Sequence, residues 1–460
     1  MKDLVQDYVC SKGAYINPAM EIFDFHTTGR GFIAKTSINR GQMVLEVPQT
    51  AVITPNWIYH NAISCVSNIV VLENDFKIDA FDLVILWLIH EKQKGMQSSV
   101  RDYITSMPSQ CTLPHHYRPR HMKLFPKQFR QKVDTQKSDL LARYEYLDKC
   151  YRRHGRGIAF AEFQWAATMV LTRSIQAKGL KLCCELIDAP WFKSAESASE
   201  IGLCPFFDLL NHSSENNCEW DFNPVTGSVW VEAIGDIKNS DQLLIDYDQG
   251  CDDYMLINYG FCLPPGENPK TALELSWSEI RAVIEANVTS DIRQVQQIFN
   301  RTKIDTENAE ERLVFKIFHD RIPFKFSYIF EEIFNSASFE EKGILFHKRL
   351  SDERLADEDF QALYLEHLQR VILLKCLESR CAELDELNQA FDHAKLTMDA
   401  TRLYQVGQIL KNHSAIAFKW RNELTAETDR LKIELEVFQL AKNLDNCEID
   451  NSEIENEITA

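Results

Sequence analysis

The stretch from Gly202 to Pro265 constrains this chain more than any other. It contains Asp208-Leu-Leu-Asn-His212 near its start and Asn258-Tyr-Gly-Phe261 near its end, with strand-like runs between. Cys218 to Phe222 and Ser228 to Ala233 flank Asn223-Pro-Val-Thr-Gly227, a turn-rich sequence that predicts a hairpin. Gln242 to Tyr247 has the apolar centre of a buried strand. Asn, His and Tyr therefore stand at the two ends of a small β unit, a place suited to polar groups that hold a ligand.

DLLNHS, a β segment, IDYD and then NYGF resemble, in that order, the SET-domain methyltransferases. Upstream, Thr28-Gly-Arg-Gly-Phe32 followed by IAKTSINRGQMVLEVP is similar to the family's first glycine motif and the hairpin after it. Trp165-Ala-Ala-Thr-Met-Val-Leu-Thr-Arg-Ser174 resembles the helix before the core motif. It does so in the subgroup typified by the Rubisco large-subunit methyltransferase and the fungal ribosomal-protein lysine methyltransferases. Each motif alone is short; four in the family's order are specific. The resemblance covers residues 14 to 266. It implies an α+β fold: a SET-type β fold of small sheets with a pseudoknot, a helical insert at 57–175, and an all-α C-terminal domain.

At 460 residues the chain has room for more than one domain. No apolar run reaches membrane-span length, and Leu83 to Ile89 is a helix-sized core segment. MKDLVQDYVCSKGAY lacks the apolar centre of a signal peptide. Thirteen scattered cysteines read as reduced thiols in a cytoplasmic or nuclear protein. A formal charge of −18 disfavours direct nucleic-acid binding and biases association toward a basic partner, although a solubilising surface explains it equally well.

Along the chain, residues 1 to 13 predict a short helix, and Thr28 to Val47 two strands joined at Ile38-Asn-Arg-Gly41. Phe81 to Glu91 predicts a helix with Leu83, Leu86, Trp87 and His90 on one face. Tyr103 to Pro108 and Pro114 to Pro119 read as loops. Arg118, Arg120, Lys123, Lys127, Arg130, Lys132 and Lys137 form a basic run for which contact with nucleic acid such as ribosomal RNA is one reading; a solvated helix face is the favoured one, since stacking aromatics are not interleaved with it. Phe160 to Ser174 predicts a helix. From Glu274 glycine becomes scarce and apolar spacing turns helical, most clearly over Phe360 to Phe391. Further helices are expected at Asp291–Phe299, Glu310–His319, Ala400–Leu410 and Thr425–Lys442. The acidic segment 445–460 reads as a disordered tail. The domains expected are thus 1–266, 267–444 and that tail.

The resemblance implies methyl transfer from S-adenosylmethionine to a lysine of a protein substrate. A free lysine, with a pKa of ~10.4, is almost wholly protonated at neutral pH. An apolar channel that desolvates it raises the neutral, nucleophilic fraction. Tyr259 matches the family's catalytic tyrosine; taken alone it is equally a core tyrosine. Asn211 and His212 match the pair that holds the cofactor, and Thr28, Gly29, Arg30 and Gly31 the loop that wraps it. Taken alone, the two glycines describe a plain turn. Arg173 matches an arginine near the cofactor's carboxylate, with a surface arginine ending a helix as its competitor. Asp208, Leu209, Tyr247 and Phe261 match positions lining the substrate side.

Two departures from the pattern fall at positions expected to be loops and concern local geometry: Cys251-Asp-Asp253 stands where Ser-Asn is usual, and Ser240 where glycine is usual. No cysteine cluster follows Phe261, so no zinc-binding segment and no metal is expected. The resemblance assigns substrate selection to the helical C-terminal region. The expected protein is a monomeric lysine methyltransferase of a non-histone substrate such as a ribosomal protein or translation factor. A histone lysine or protein histidine methyltransferase, or a catalytically inactive scaffold, are the alternatives.

Overall fold

Four antiparallel strands make the first sheet: β1 (Tyr15–Ile16), β4 (Met43–Val47), β9 (Val229–Ala233) and β8 (Cys218–Phe222), in the spatial order β1-β4-β9-β8. The predicted hairpin is β8–β9, in register from Cys218 opposite Ala233 to Phe222 opposite Val229. Local chemistry closes it: Asn223 Oδ1 accepts from the N–H groups of Val225 and Thr226 at 2.9 and 3.2 Å, and Gly227 takes φ +67°. The second sheet runs β2-β3-β10-β7, from β2 (Met20–Phe25), β3 (Gly29–Ala34), β10 (Gln242–Ile245) and β7 (Asn211–His212).

The computed structural model describes residues 4–25, 28–65, 77–110, 113–153, 155, 157–176, 192, 201–247, 250–264, 266–287, 314–318, 320–322, 358–395 and 398–458. They divide into two compact units, one of residues 1–122 and 129–262, the other of 123–128 and 263–460.

In the first unit, β3 and β4 do not form the expected hairpin. β3 pairs with β2 and β10, β4 with β1 and β9, and Ile38 between them bridges to Ile237. Both strands alternate correctly, but their partners lie far off in sequence. The insert supplies α2 (Pro55–Asn61), α3 (Ala80–Lys94), α4 (Arg101–Ser106), α5 (Pro119–Met122), α6 (Lys127–Arg152) and α7 (Phe160–Arg173), while α1 (Leu4–Ser11) packs against α4.

Helix α3 begins at a reciprocal cap, Asp79 with Asp82, and Arg143 bridges both carboxylates at 2.8 Å. It is buried from Leu83 to Ile89 on all sides rather than on one face, so it forms the centre of the insert. α4 occupies a segment expected to be a loop. A short antiparallel pair, β5 (Ser174–Gln176) with β6 (Ile201–Leu203), leads into the single turn Phe207–Leu209 and then β7.

Among the described residues, the second unit, considered alone, is helical apart from one antiparallel pair, β11 (Ala272–Ser276) with β12 (Val314–Phe318). β12 corrects the helix expected at Glu310–His319: Val-Phe-Lys-Ile-Phe is rich in β-branched and aromatic residues and pairs along its whole length. The helix expected at Asp291–Phe299 lies outside the described residues. α9 (Trp277–Asn287) precedes the long α10 (Glu358–Ala394), which packs on α11 (Ala400–Ile458). α11 merges two expected helices and runs through the segment expected to be disordered. Once a helix is nucleated, each added residue gains a hydrogen bond at little cost, and glutamate is a good helix former. Among the described residues no helix is long and apolar enough to cross a membrane.

Candidate active site

β7 is only two residues long and lies parallel to β10, with Asn211 opposite Leu244 and His212 opposite Ile245. Asn217 clamps this pairing: its Oδ1 accepts from the Leu244 N–H at 2.9 Å and its Nδ2 donates to the Gln242 carbonyl at 2.8 Å. The Asn211 amide donates to Thr28 Oγ1 and to the Arg30 carbonyl, each at 3.3 Å, and Gln242 Nε2 reaches Thr28 Oγ1 at 3.4 Å. A Cβ at Gly31 would overlap that Asn211 amide, and Gly29 takes φ +73°. The two glycines therefore serve different needs, a positive φ and a close approach. Arg30 is anchored to the Ser106 carbonyl.

The next residues form an aromatic cluster. α8 (Asp252–Tyr259) ends in Gly260 at φ +84°, whose N–H bonds back to the carbonyls of Met255 and Leu256, so the glycine of the NYGF motif is a helix C-cap. That cap fixes Tyr259 as the last helical residue. Its ring lies 5.0 Å from Tyr247, 6.3 Å from Phe261 and 6.4 Å from Tyr254, and His212 stands 5.2 Å from Tyr247 and 6.0 Å from Phe261. Tyr247 donates its hydroxyl to the Leu210 carbonyl at 2.6 Å. His212 Nδ1 accepts from the Tyr247 N–H at 3.1 Å, so in the neutral ring the proton sits on Nε2. Asp246 approaches that same Nδ1 at 3.5 Å, but the lone pair there is already taken by the main chain.

Among the described residues the Tyr259 hydroxyl makes no hydrogen bond, and the side chain is half-buried. Burial first, and then Tyr254 and Tyr247, raise its pKa above the ordinary phenol value. Burial raises that of Tyr247 likewise. Both hydroxyls are neutral donors at physiological pH.

Arg173 is not a surface arginine. Its side chain is 15% exposed and donates through Nη1 to Asp208 Oδ2 at 2.9 Å, while Tyr103 donates its hydroxyl to the same oxygen at 3.0 Å. Burial works against the Arg173 charge, but Asp208, Tyr103 and Tyr247 together outweigh it and hold the guanidinium pKa above its ordinary value. Among the described residues its buried Nε has no hydrogen-bond partner.

Two expectations are corrected here. Asp208, 3% exposed, is spent on this ion pair, and Leu209 belongs to the hydrophobic core, so neither side chain lines an open surface. Asp252 and Asp253 are the buried first residues of α8 and not loop positions.

Of the expected residues, Thr28, Arg30, Gly31 and Asn211 meet around one loop, and His212, Tyr247, Tyr259 and Phe261 in one aromatic cluster. Tyr103, Gln242 and Tyr254 were not singled out in the sequence. None of the three carried a local signal: Tyr254 precedes Tyr259 by five residues, which sets them about 140° apart around a regular helix.

The family model for the SET domain matches residues 29–248. Residues 29–248 are thus a SET domain. SET domain-containing protein 4 of Artemia parthenogenetica is 23% identical over 274 residues, covering 57% of this chain and 63% of that protein. The ribosomal lysine N-methyltransferase set11 of Schizosaccharomyces pombe is 23% identical over 271 residues, 58% of this chain and 62% of that protein. The chain therefore spans less than two thirds of the length of these relatives. The solved SET domain of LSMT bound to lysine and AdoHcy superposes with a TM-score of 0.62 at 17% identity, covering 94% of this chain and 93% of that one. The fold is shared with that protein.

Proposed function

We propose that this chain is an S-adenosylmethionine-dependent lysine N-methyltransferase of a non-histone protein, a ribosomal protein or translation factor being the substrate class favoured. The observation that carries the reading is the half-buried Tyr259, its hydroxyl without a hydrogen bond among the described residues, beside Tyr247, Phe261 and His212. Set11 is named as a ribosomal lysine methyltransferase, and LSMT was solved with lysine and AdoHcy; both support the reading.

The residues fit the cofactor. Arg173 Nε, buried and without a hydrogen-bond partner among the described residues, is a donor suited to an anion. Thr28 to Gly31, Asn211 and His212 would hold it, with Arg173 toward its carboxylate. S-adenosylmethionine, when bound, supplies a methyl group on a sulfonium leaving group. Tyr247, Tyr259 and Phe261 exclude water from the lysine, which favours its neutral form. They also restrict the approach of its nitrogen to one line. Tyr259, kept protonated, donates toward the reacting centre. Cytoplasm or nucleus is the compartment proposed, a reading supported by the free thiols of the described cysteines.

Tyr259→Phe removes one hydroxyl and leaves the ring. Transfer of labelled methyl to proteins of a lysate from cells lacking this chain should fall by about 100-fold or more. Affinity for S-adenosylhomocysteine in calorimetry should stay within about twofold. Wild-type turnover by the variant would reduce Tyr259 to a packing residue.

A further inference from the structure

The basic run of the insert does more than face water. Lys132 and Gln136 lie four residues apart on α6, hence on one side of that helix. Lys132 Nζ pairs with Asp253 Oδ2 at 2.9 Å, at the N-terminal turn of α8, where the Asp253 side chain is 5% exposed. Gln136 Nε2 donates to Asn258 Oδ1 at 3.1 Å, next to Tyr259. The two pins thus hold the beginning and the end of the helix that carries the tyrosine.

The direction of every bond in this network follows from one carbonyl. The Tyr254 carbonyl can only accept, so Asn258 Nδ2 is the donor to it at 3.0 Å. Asn258 Oδ1 must then face Gln136 as an acceptor, which makes Gln136 Nε2 the donor and turns Gln136 Oε1 toward His115. His115 Nδ1, at 2.9 Å, therefore carries the proton. Each member has a single orientation, and a group that cannot both donate to Asn258 and accept from His115 breaks the chain.

We propose that Gln136 is a positioning residue for Tyr259: through Asn258, and with Lys132 on Asp253, it fixes the last turn of α8 so that the tyrosine hydroxyl stays aimed at the reacting atoms. This inference rests on the methyltransferase reading for its kinetic consequence, but not for its structural one. Gln136→Leu removes both bonds at similar volume. Gln136→Glu keeps an acceptor for His115 and loses the donor to Asn258.

In the full chain, both variants should lower the maximal rate of labelled methyl transfer to the lysate proteins by about 10- to 100-fold, the scale of a small misplacement of a reacting group. The KM for S-adenosylmethionine and the affinity for S-adenosylhomocysteine should stay within about twofold. Amide exchange in residues 252–260 should quicken selectively. A merely structural role would instead lower thermal stability, cofactor affinity and rate together, which overturns the proposal, as does an unchanged rate with unchanged exchange. If the wild-type chain transfers no methyl group, the functional reading fails separately and exchange alone decides. Selective loss of protection at 252–260 then upholds the positioning of α8, and its absence overturns it.

Discussion

Ser240 holds φ at +71° in an exposed loop, its N–H bonded to the Ala34 carbonyl at 2.8 Å. A side chain there crowds its own backbone, and glycine would not. Ser240→Gly should therefore stabilise the chain by about 0.5–1 kcal/mol in denaturant unfolding, the gain from relieved strain exceeding the loss to unfolded-state entropy. A destabilised variant would mean that the serine is held by something other than this loop. The departure at 240 was visible in the sequence because a glycine was expected there. Phe206 was not. It too has positive φ, +73°, yet it is 1% exposed and its ring lies 4.8 Å from Phe32. A bulky residue in this region is a genuine outlier. Packing holds it, just ahead of the turn that delivers Asp208 and Asn211, and nothing in its neighbours' residue types announces it.

At the scale of elements, the turn Pro114–His116 packs against α8 and carries two histidines whose rings lie 4.0 Å apart. The Thr168 hydroxyl donates to the Gln164 carbonyl at 2.8 Å, so it accepts from His116 Nε2 at 3.0 Å. Burial lowers both imidazoles to about 4; Lys137 adds to the effect on each, and His115 to that on His116. In the unfolded chain each takes a proton near pH ~6.5, and in the folded chain only near 4. The unfolded state binds more protons throughout this window, so stability is complete above it and is lost as pH falls toward 4. For the buried His115 the loss should be about 1 kcal/mol per pH unit between 6 and 4.5, read as a falling unfolding midpoint. His115→Gln should flatten the slope; an unchanged slope would assign it to other groups.

The same scale shows why some elements were legible and others not. The β8–β9 hairpin is written locally, in alternation and in Asn223 and Gly227. β3 and β4 alternate as clearly, but nothing local names β10 and β9 as their partners. The Gln136–Asn258 bond joins two polar residues 122 positions apart, neither of a type that points to the other.

Across the whole molecule, the change of texture at Glu274 was legible because glycine content and helical spacing are summed over many residues. The β11–β12 pair inside that region was not, since one short strand reads as a short helix when its surroundings are helical. The second unit has its own buried polar centre in Arg380, 3% exposed, which donates to Glu383 at 2.6 Å, to Glu279 at 2.5 Å, and also to Gln128. Arg380→Met keeps the volume and takes the cation away from two carboxylates that are each about one third exposed. The cost should be about 2–3 kcal/mol, below that of a fully buried pair because water reaches both acids. Calorimetry of the full chain would check it, and an unshifted transition would show the acids to be fully solvated.

The second sheet has a consequence for synthesis. β3 ends at Ala34, while its partner β10 begins at Gln242. While a chain is growing, β3 can pair with β2 alone, and its other edge stays open until some two hundred further residues have been made. An exposed strand edge recruits other strands, and contacts this distant in sequence close slowly. The loop that positions Thr28 and Gly31 is therefore built early but completed late, when Asn211 and Gln242 arrive to tie it down. Chaperone dependence during translation should accordingly be concentrated in nascent chains that carry β3 and still lack β10, and releasing such a fragment should give aggregation rather than a partly competent site.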